Sequence, residues 1–449
     1  MNYKEEQKEL FKSYLDNHVY KYWRSKEELE YKQGLELILT STCNTKCSYC
    51  YYKNFGKQLN DPCISTKDNI LKNAEKLLTW MNRENMTPDS IDIFSGEPLN
   101  LPYIDDLMDI ITDKLPGVEV VIPTNGTYCK SDKAVERVES LLDKWNKKSH
   151  VFLSMSVDGK YLDNDTRSMR DGELYDDAFY DRLFRFIKKH NLAVHPMVGP
   201  KGIDKWCDNL DWYVEELSKH LGCNKALALS RIYLLEVRNP DWTDDELGYL
   251  TKFCHHLTNT AFEYYDRDKY CFVDNFLLGD TGCNFYSGIT SVMPRGLGCS
   301  IQQEFSVRLG DMKLVPCHRT AYDGYNACTL KIDDDYNIDY ELENENTYMM
   351  IMNFNAKYAT KCCDCPINAL CSYSCLGCNF EVNHDFFTPV DSVCKLEFTK
   401  LYALADSLNR IGVLDVLIDR LKHMSHGYDL MDMHIKQLIA IKEKLNGIH

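Results

Sequence analysis

Apolar residues recur along this chain with two different periods in turn. Between Leu35 and Tyr265, short apolar runs alternate with longer segments whose apolar positions return every three or four residues, the pattern of strands followed by amphipathic helices. The run Leu35-Glu36-Leu37-Ile38-Leu39-Thr40 predicts a first strand. Thr66 to Asn85, with Ile70, Leu71, Ala74, Leu77, Leu78 and Met81 on one face, predicts the helix after it. Strands are then expected over residues 90–94, 118–123, 151–157, 192–198 and 227–237, and helices over 103–114, 130–145, 176–190, 205–221 and 243–265. Six such strand-then-helix pairs imply an α/β fold with a parallel sheet of barrel type, short of the eight that close a TIM barrel.

The flanks differ. Residues 3–31 are charged, with Leu10, Phe11, Leu15, Val19 and Trp23 at near-helical spacing, which predicts one or two covering helices; a substrate-docking arm is the functional alternative. Beyond Tyr265 the periodicity fails, and Gly279, Gly282, Gly288, Gly296 and Gly298 mark an irregular connection. Phe305-Ser306-Val307-Arg308-Leu309 reads as a strand entering a hairpin at Gly310, and residues 397–446 read as helices. The expected organisation is a helical extension over 1–34, a partial barrel over 35–265, a linker over 266–298, a cysteine-rich irregular domain over 299–400 and C-terminal helices over 401–449.

A chain of 449 residues that is 44% hydrophobic and 12% aromatic can bury a large core. Its formal net charge of −16 disfavours nucleic acid as a partner, because phosphate binding depends on counterion release onto Lys and Arg. The opening residues lack the apolar core of a signal peptide, and no stretch approaches the ~18 uncharged residues of a membrane span. A cytoplasmic protein with no membrane partner is expected. Twenty cysteines in that reducing compartment point to metal ligation rather than disulfides.

Three of them, Cys43, Cys47 and Cys50, stand in the loop after the first strand with the spacing C-x3-C-x2-C. That spacing is too compact for a zinc finger built from two separate pairs. Three thiolates on one loop can instead hold three irons of a 4Fe-4S cubane and leave the fourth open; a zinc or purely structural site is the alternative. In parallel α/β folds ligands collect beyond the C-terminal ends of the strands. There the second strand gives Ser95-Gly96-Glu97-Pro98, the third Thr124-Asn125-Gly126-Thr127, and the fourth Ser154-Met155-Ser156-Val157-Asp158-Gly159, with Arg167 following. A carboxylate such as Glu97 suits an ammonium, the glycine beside it allows close backbone approach, and Asn-Gly taken alone is a turn.

Together these segments resemble the radical S-adenosylmethionine (SAM) enzymes. The resemblance implies that Cys43, Cys47 and Cys50 hold a 4Fe-4S cluster whose open iron is chelated by SAM, and that an electron from the cluster cleaves SAM to a 5'-deoxyadenosyl radical. It implies further that Tyr49, the aromatic before the last cysteine, lies against the adenine. Ser95, Gly96, Glu97 and Pro98 would meet the methionine amino group, with Ser95 where the family usually has Gly. Asn125 counts among the SAM contacts, Ser156 and Asp158 would face the ribose, and Arg167 the SAM carboxylate. The architecture implied is a partial (β/α)6 barrel with an open side for a large substrate.

A second cysteine system follows: Cys299, Cys317, then Cys362, Cys365, Cys371 and Cys375 with the spacing C-x2-C-x5-C-x3-C, and finally Cys394. This resembles the SPASM extension of the same enzymes, which holds two auxiliary 4Fe-4S clusters. Carried over one at a time, Cys362, Cys365, Cys371 and Cys394 match ligands of the outer cluster, and Cys299, Cys317 and Cys375 match three of the inner one. The inner fourth ligand stays open between Cys283, Cys378 and an open iron. Paired structural zinc sites are the alternative, since C-x2-C also occurs in zinc ribbons. Cys363 and the remaining cysteines read as bystanders or small core residues.

SPASM enzymes mostly act on peptides or proteins, so the resemblance implies maturation of a ribosomally made peptide by hydrogen abstraction and formation of a Cys thioether or another crosslink. The partners expected are a cysteine-containing peptide or protein, an external electron donor such as flavodoxin or ferredoxin, and, because only residues 1–34 precede the first strand, a separate peptide-recognition protein. A sulfatase-type maturase making formylglycine is the second reading. There an Asp follows the cysteine that matches Cys317, whereas His318 and Arg319 follow it here. His318 is accordingly a candidate catalytic residue, or alternatively a donor to a cluster sulfide or a surface residue. A non-catalytic iron-sulfur or zinc scaffold is the third reading, and it has no use for SAM-site motifs at three strand ends.

Overall fold

The computed structural model describes residues 3–24, 33–51, 66–94, 96–279, 284–290, 299–321, 325–355, 359–371, 373, 375–425 and 429–447. Ser95 and Cys283 lie outside the described residues. The chain divides into two compact units. Met1–Thr45, Cys50–Ser154 and Ser300–Phe354 make the first; Lys46–Tyr49, Met155–Cys299 and Asn355–His449 make the second.

The first unit is built on one sheet. Numbered along the chain, its strands are β1 (Gly34–Ile38), β2 (Ser90–Phe94), β3 (Glu119–Thr124), β4 (His150–Met155), β7 (Glu304–Arg308), β8 (Lys313–Val315), β9 (Cys328–Ile332) and β10 (Ile338–Leu342), in the order β10-β9-β8-β7-β1-β2-β3-β4. β1 is parallel to β2, with Leu37 opposite Ile93, and to β7, with Leu37 opposite Val307. Every residue of β1 is buried, as a central parallel strand requires. β2 and β3 alternate instead, burying Ile91, Ile93, Val120 and Ile122. Glu36, Asp92 and Ser306 stand in register across β1, β2 and β7 on the opposite face.

The helices Lys67–Arg83, Ile104–Lys114 and Asp132–Trp145 follow β1, β2 and β3. Thr66 and Ser131 start the first and third by accepting hydrogen bonds from Asn69 N and Ala134 N. The expected hairpin at Gly310 forms as β7 and β8, antiparallel with Val307 opposite Leu314. Because β7 also pairs with β1, residues 300–354 extend the sheet of the first unit.

In the second unit, β5 (Met197–Val198) and β6 (Leu235–Glu236) pair in parallel, and parallel bridges join Met155 to Val194 and Val194 to Ile232. The helices Asp177–His190, Trp206–Leu221 and Asp244–Tyr264 accompany them. Thr243 and Glu246 form a reciprocal cap at the start of the last. The strand expected over 227–237 is shorter than its pattern. Asn224 accepts from Leu227 N at 2.9 Å, and this cap turns Lys225–Leu229, all good helix formers, into a short helix. Within 266–298 the described residues are packed rather than extended, with Phe272, Phe276, Phe285 and Tyr286 buried. The C-terminal helices are Asp391–Arg410, Leu414–Met424 and Asp429–Gly447. The fold is thus α/β, with a sheet rich in parallel pairs and a helical C terminus. Among the described residues no helix is long and apolar enough to cross a membrane.

The helix Tyr3–Leu15 covers the first unit. Phe11 meets Tyr340 and Tyr348 edge-on at ring separations of 6.0 and 6.2 Å. Tyr20, just beyond it, packs against Trp80 and Phe305 and shares a 3.2 Å hydrogen bond with Tyr340. Phe11→Ala should therefore lower the unfolding free energy by about 3–5 kcal/mol in equilibrium denaturation. An unchanged midpoint would return this helix to the role of a docking arm.

Candidate active site

The loop after β1 is fastened to the end of β2. Gly96 N donates to Thr40 O (2.8 Å) and Glu97 N to Thr42 O (3.0 Å). A Cβ on Gly96 would stand 2.1 Å from Thr42 O, so only glycine permits this approach. Glu97 is buried and both its oxygens are engaged. Oε1 accepts from Thr124 Oγ1 (2.8 Å) and Leu99 N (3.2 Å), and Oε2 from Asn125 N (2.6 Å). Glu97 therefore braces the end of β2 against the end of β3. Asn125 passes that brace on to the cysteine loop: its Nδ2 donates to Asn44 Oδ1 (2.8 Å) and approaches Cys43 Sγ (3.7 Å), while its Oδ1 accepts from Thr127 N and Oγ1. Thr45 N and Oγ1 lie 3.5 and 3.2 Å from the same sulfur.

The second unit holds the other signatures. Tyr49 donates to Asp158 Oδ2 (2.8 Å) and accepts from Arg167 Nη1 (2.6 Å). Asp158 is fully buried; Thr166 Oγ1 also donates to Oδ2 (2.8 Å) and Met197 N to Oδ1 (2.9 Å). Burial raises the Tyr49 hydroxyl well above its ordinary pKa, against the pull of Arg167, so it stays a donor to Asp158. Asp163, which the sequence did not single out, accepts from the amides of Asp158 and Gly159 and from Tyr180 Oη. Burial pushes it up to about 7, with Asp158 adding to the rise and Arg167 opposing it. Its one visible signal is its place four residues before Arg167. Gly159 has φ +115°, and a Cβ there would lie 2.6 Å from Asn209 Oδ1. Arg167 is 6% exposed, and its Nε has no hydrogen-bond partner. Ser156 is half-buried.

Cys362, Cys365, Cys371 and Cys394 all belong to the second unit and act electrostatically on one another in pairs. Burial pushes the Cys362 thiol up to about 11, and Cys394 and Cys365 lie near enough to push the same way. Burial likewise raises Cys371 and Cys394, with Cys394 acting on Cys371 and Cys365 on Cys394. Cys299 and Cys375 belong to the second unit and Cys317 to the first. Cys317 Sγ accepts from Thr320 Oγ1 at 3.7 Å. Cys378 sits in an apolar cluster with Val390 and Val393, against which Cys375 packs. Among the described residues no three His, Cys, Asp or Glu side chains converge on one metal ion. A cubane bonds each thiolate to a different iron, so its ligands need no common centre.

His318 is fixed within the first unit. Its Nδ1 bonds the buried carboxylate of Glu36, and its ring stacks on Phe94 at 3.9 Å with the planes 6° apart. Burial works against a charge on His318, but the Glu36 carboxylate outweighs it and the pKa is raised. Glu36 was passed over in the sequence. Its signal is a lone carboxylate inside an otherwise apolar strand.

The site is thus a parallel-rich α/β sheet with a three-cysteine loop after its first strand and polar segments after the next three. Residues 37–208 match the family model of the radical SAM superfamily. Those residues therefore make a radical SAM domain, the domain of a superfamily of enzymes. Relatives include the putative glycyl-radical enzyme activating enzyme MJ1632 of Methanocaldococcus jannaschii, 30% identical over 129 residues, which are 28% of this chain and 46% of that protein. The chain thus spans less than half of that relative's length. The uncharacterized protein MJ0907 of the same organism is 23% identical over 303 residues, 63% of this chain and 94% of that protein. A solved structure of histidine-tagged anSMEcpe with bound AdoMet covers 86% of this chain and 99% of its own, at 16% identity and a TM-score of 0.55, a likeness of fold.

The residues fit the cluster and SAM that this family implies. Hydrogen-bond donors already stand beside Cys43 Sγ, Asn125 Nδ2 at 3.7 Å and Thr45 N at 3.5 Å, as a ligating thiolate needs, and Arg167 is a buried cation whose Nη1 and Nε lie 4.0 Å from Asp158 and Asp163.

Asp92 gives a pH test. Burial pushes its carboxyl up to about 7, Glu304 and Glu36 adding and His318 opposing. With the folded-state value above the ordinary one, its contribution to stability is fully present below about pH 4 and is lost as pH rises through 7. Asp92→Asn should lack this loss, gaining on the wild type by about 1.4 kcal/mol for each pH unit across that window. Denaturation curves at several pH values check this; parallel curves for the two proteins would contradict it.

Proposed function

We propose that the protein is a radical SAM/SPASM peptide maturase that joins a cysteine sulfur to carbon, as a thioether or related crosslink, in a ribosomally made peptide. The observation that carries this reading is the radical SAM domain of residues 37–208 on a chain in which Cys362, Cys365, Cys371 and Cys394 follow with a SPASM-like spacing. The thiols of Cys362, Cys371 and Cys394, raised by burial, are poor nucleophiles and suited to metal, which removes their protons on binding. Cys43, Cys47 and Cys50 are assigned to the SAM cluster, Cys362, Cys365, Cys371 and Cys394 to an outer auxiliary cluster, and Cys299, Cys317 and Cys375 to an inner one.

When bound, the cluster and SAM supply the 5'-deoxyadenosyl radical that takes a hydrogen from the substrate. The chain's own residues bind and orient. Ser95, Gly96 and Pro98 would meet the methionine amino group, with Gly96, Glu97 and Asn125 tied to the cysteine loop by hydrogen bonds. Arg167 would pair with the SAM carboxylate, Ser156 would meet the ribose, and Asp158, by accepting from Tyr49, would keep that ring aligned for the adenine. Pinned between Glu36 and Phe94, His318 fixes the segment that carries Cys317. An external donor such as flavodoxin or ferredoxin, a separate peptide-recognition protein and a cytoplasmic location complete the proposal.

Anaerobically reconstituted protein with a reductant should cleave SAM to 5'-deoxyadenosine, and a Cys43→Ala, Cys47→Ala, Cys50→Ala triple variant should not; activity retained by that variant would refute the cluster assignment. Mass spectrometry of cysteine-containing peptides then reads the bond formed. Loss of two hydrogens with a sulfur that resists alkylation is expected, whereas an aldehyde with loss of sulfur would replace this reading with formylglycine chemistry.

A further inference from the structure

Four charged side chains form a buried network in the second unit. Glu236 Oε1 lies 2.6 Å from Arg238 Nη2 and 2.9 Å from Lys400 Nζ, and Glu397 lies 3.3 Å from Arg238 Nη2 and 3.4 Å from Lys400 Nζ. Two cations and two anions balance, which is what permits side chains as buried as Glu397 and Lys400, each 2% exposed. Burial opposes the charge on Glu236, but Lys400 and Arg238 outweigh it and hold the carboxyl well below the usual range.

The network is open on one side. Arg238 Nη1 donates to the carbonyl of Tyr373 at 3.2 Å, and the amide of the same Tyr373 donates to Cys371 Sγ at 3.3 Å. Tyr373 has φ +63°, a left-handed conformation that few residues other than glycine adopt without support. Its hydroxyl donates to Phe387 O at 2.8 Å. The residue is thus held at its carbonyl by Arg238 and at its ring by Phe387, with its N–H aimed at a sulfur.

We propose that Arg238 is a positioning residue for the outer auxiliary cluster: its grip on the Tyr373 carbonyl aims the Tyr373 amide at the Cys371 sulfur, and that N–H···S bond raises the reduction potential of the cluster. This rests on reading Cys362, Cys365, Cys371 and Cys394 as that cluster's ligands. A hydrogen bond to a ligating sulfur stabilises the more negative, reduced state, so protein donors of this kind tune such centres upward. Arginine suits the task because its planar fork reaches a carboxylate with one nitrogen and a carbonyl with another; lysine keeps the charge but not the fork.

The test is an anaerobic EPR redox titration of the full-length, reconstituted protein, with iron content measured on each sample. Arg238→Lys is expected to keep the wild-type iron content and to lower the midpoint of one cluster alone, leaving that of the SAM cluster in place; unchanged midpoints with full iron would overturn the proposal. A second measurement needs no change at Arg238. With 15N-labelled tyrosine, pulsed EPR of the reduced protein should show 15N coupling to an auxiliary cluster, and Tyr373→Phe, which keeps the peptide but not the label, should abolish the 15N signal. Absence of that coupling in the wild type would overturn the hydrogen bond itself. If replacing Cys362, Cys365, Cys371 and Cys394 with Ala removes no iron, the cluster reading fails and takes the Arg238 proposal with it.

Discussion

A carboxylate buried beneath a strand end is tolerable only when its oxygens are occupied, and this requirement orders the loops that carry the chemistry. In the first unit Glu97 takes three hydrogen bonds, two of them from Thr124 and Asn125 at the end of β3. In the second, Asp158 gathers Tyr49, Thr166 and Met197 from three separate segments. Removing either carboxylate would strand several buried donors, each at about 1–3 kcal/mol. These hydrogen bonds are made within the protein, so little ligand-binding free energy is lost to forming them.

The cysteines obey the opposite logic. The two buried carboxylates are satisfied within the protein, whereas the thiols of Cys362, Cys371 and Cys394 are raised by burial and by one another. Metal binding to such a set must release protons, so it strengthens as pH rises. Part of the surroundings is nonetheless prepared, since the Tyr373 amide already points at Cys371.

Much of the fold was legible because local rules and tertiary structure agree. Ser90–Phe94 was expected and is found residue for residue, and the helices after β1, β2 and β3 begin within two residues of their expected starts. Residues 227–237 misled because their apolar run hides a cap at Asn224 whose effect depends on the turn before it. The pairing of β7 with β1 was invisible, since nothing local in either strand names a partner so distant in the chain. At the site, residue identities were readable but their partners were not. Glu97 reads as a ligand for an ammonium, yet its oxygens face Thr124, Leu99 and Asn125; His318 was a candidate without any sign of Glu36, which lies 282 positions away.

Whether the cysteines between Cys43 and Cys394 ligate three iron-sulfur clusters rather than one cluster and zinc is decided most directly by counting metal in anaerobically reconstituted protein. The wild type should hold about twelve irons per chain with no stoichiometric zinc, and the protein lacking Cys43, Cys47 and Cys50 should hold about eight. Tightly bound zinc in place of those eight irons would contradict the auxiliary clusters, and an iron count unchanged by loss of the three cysteines would contradict the site itself.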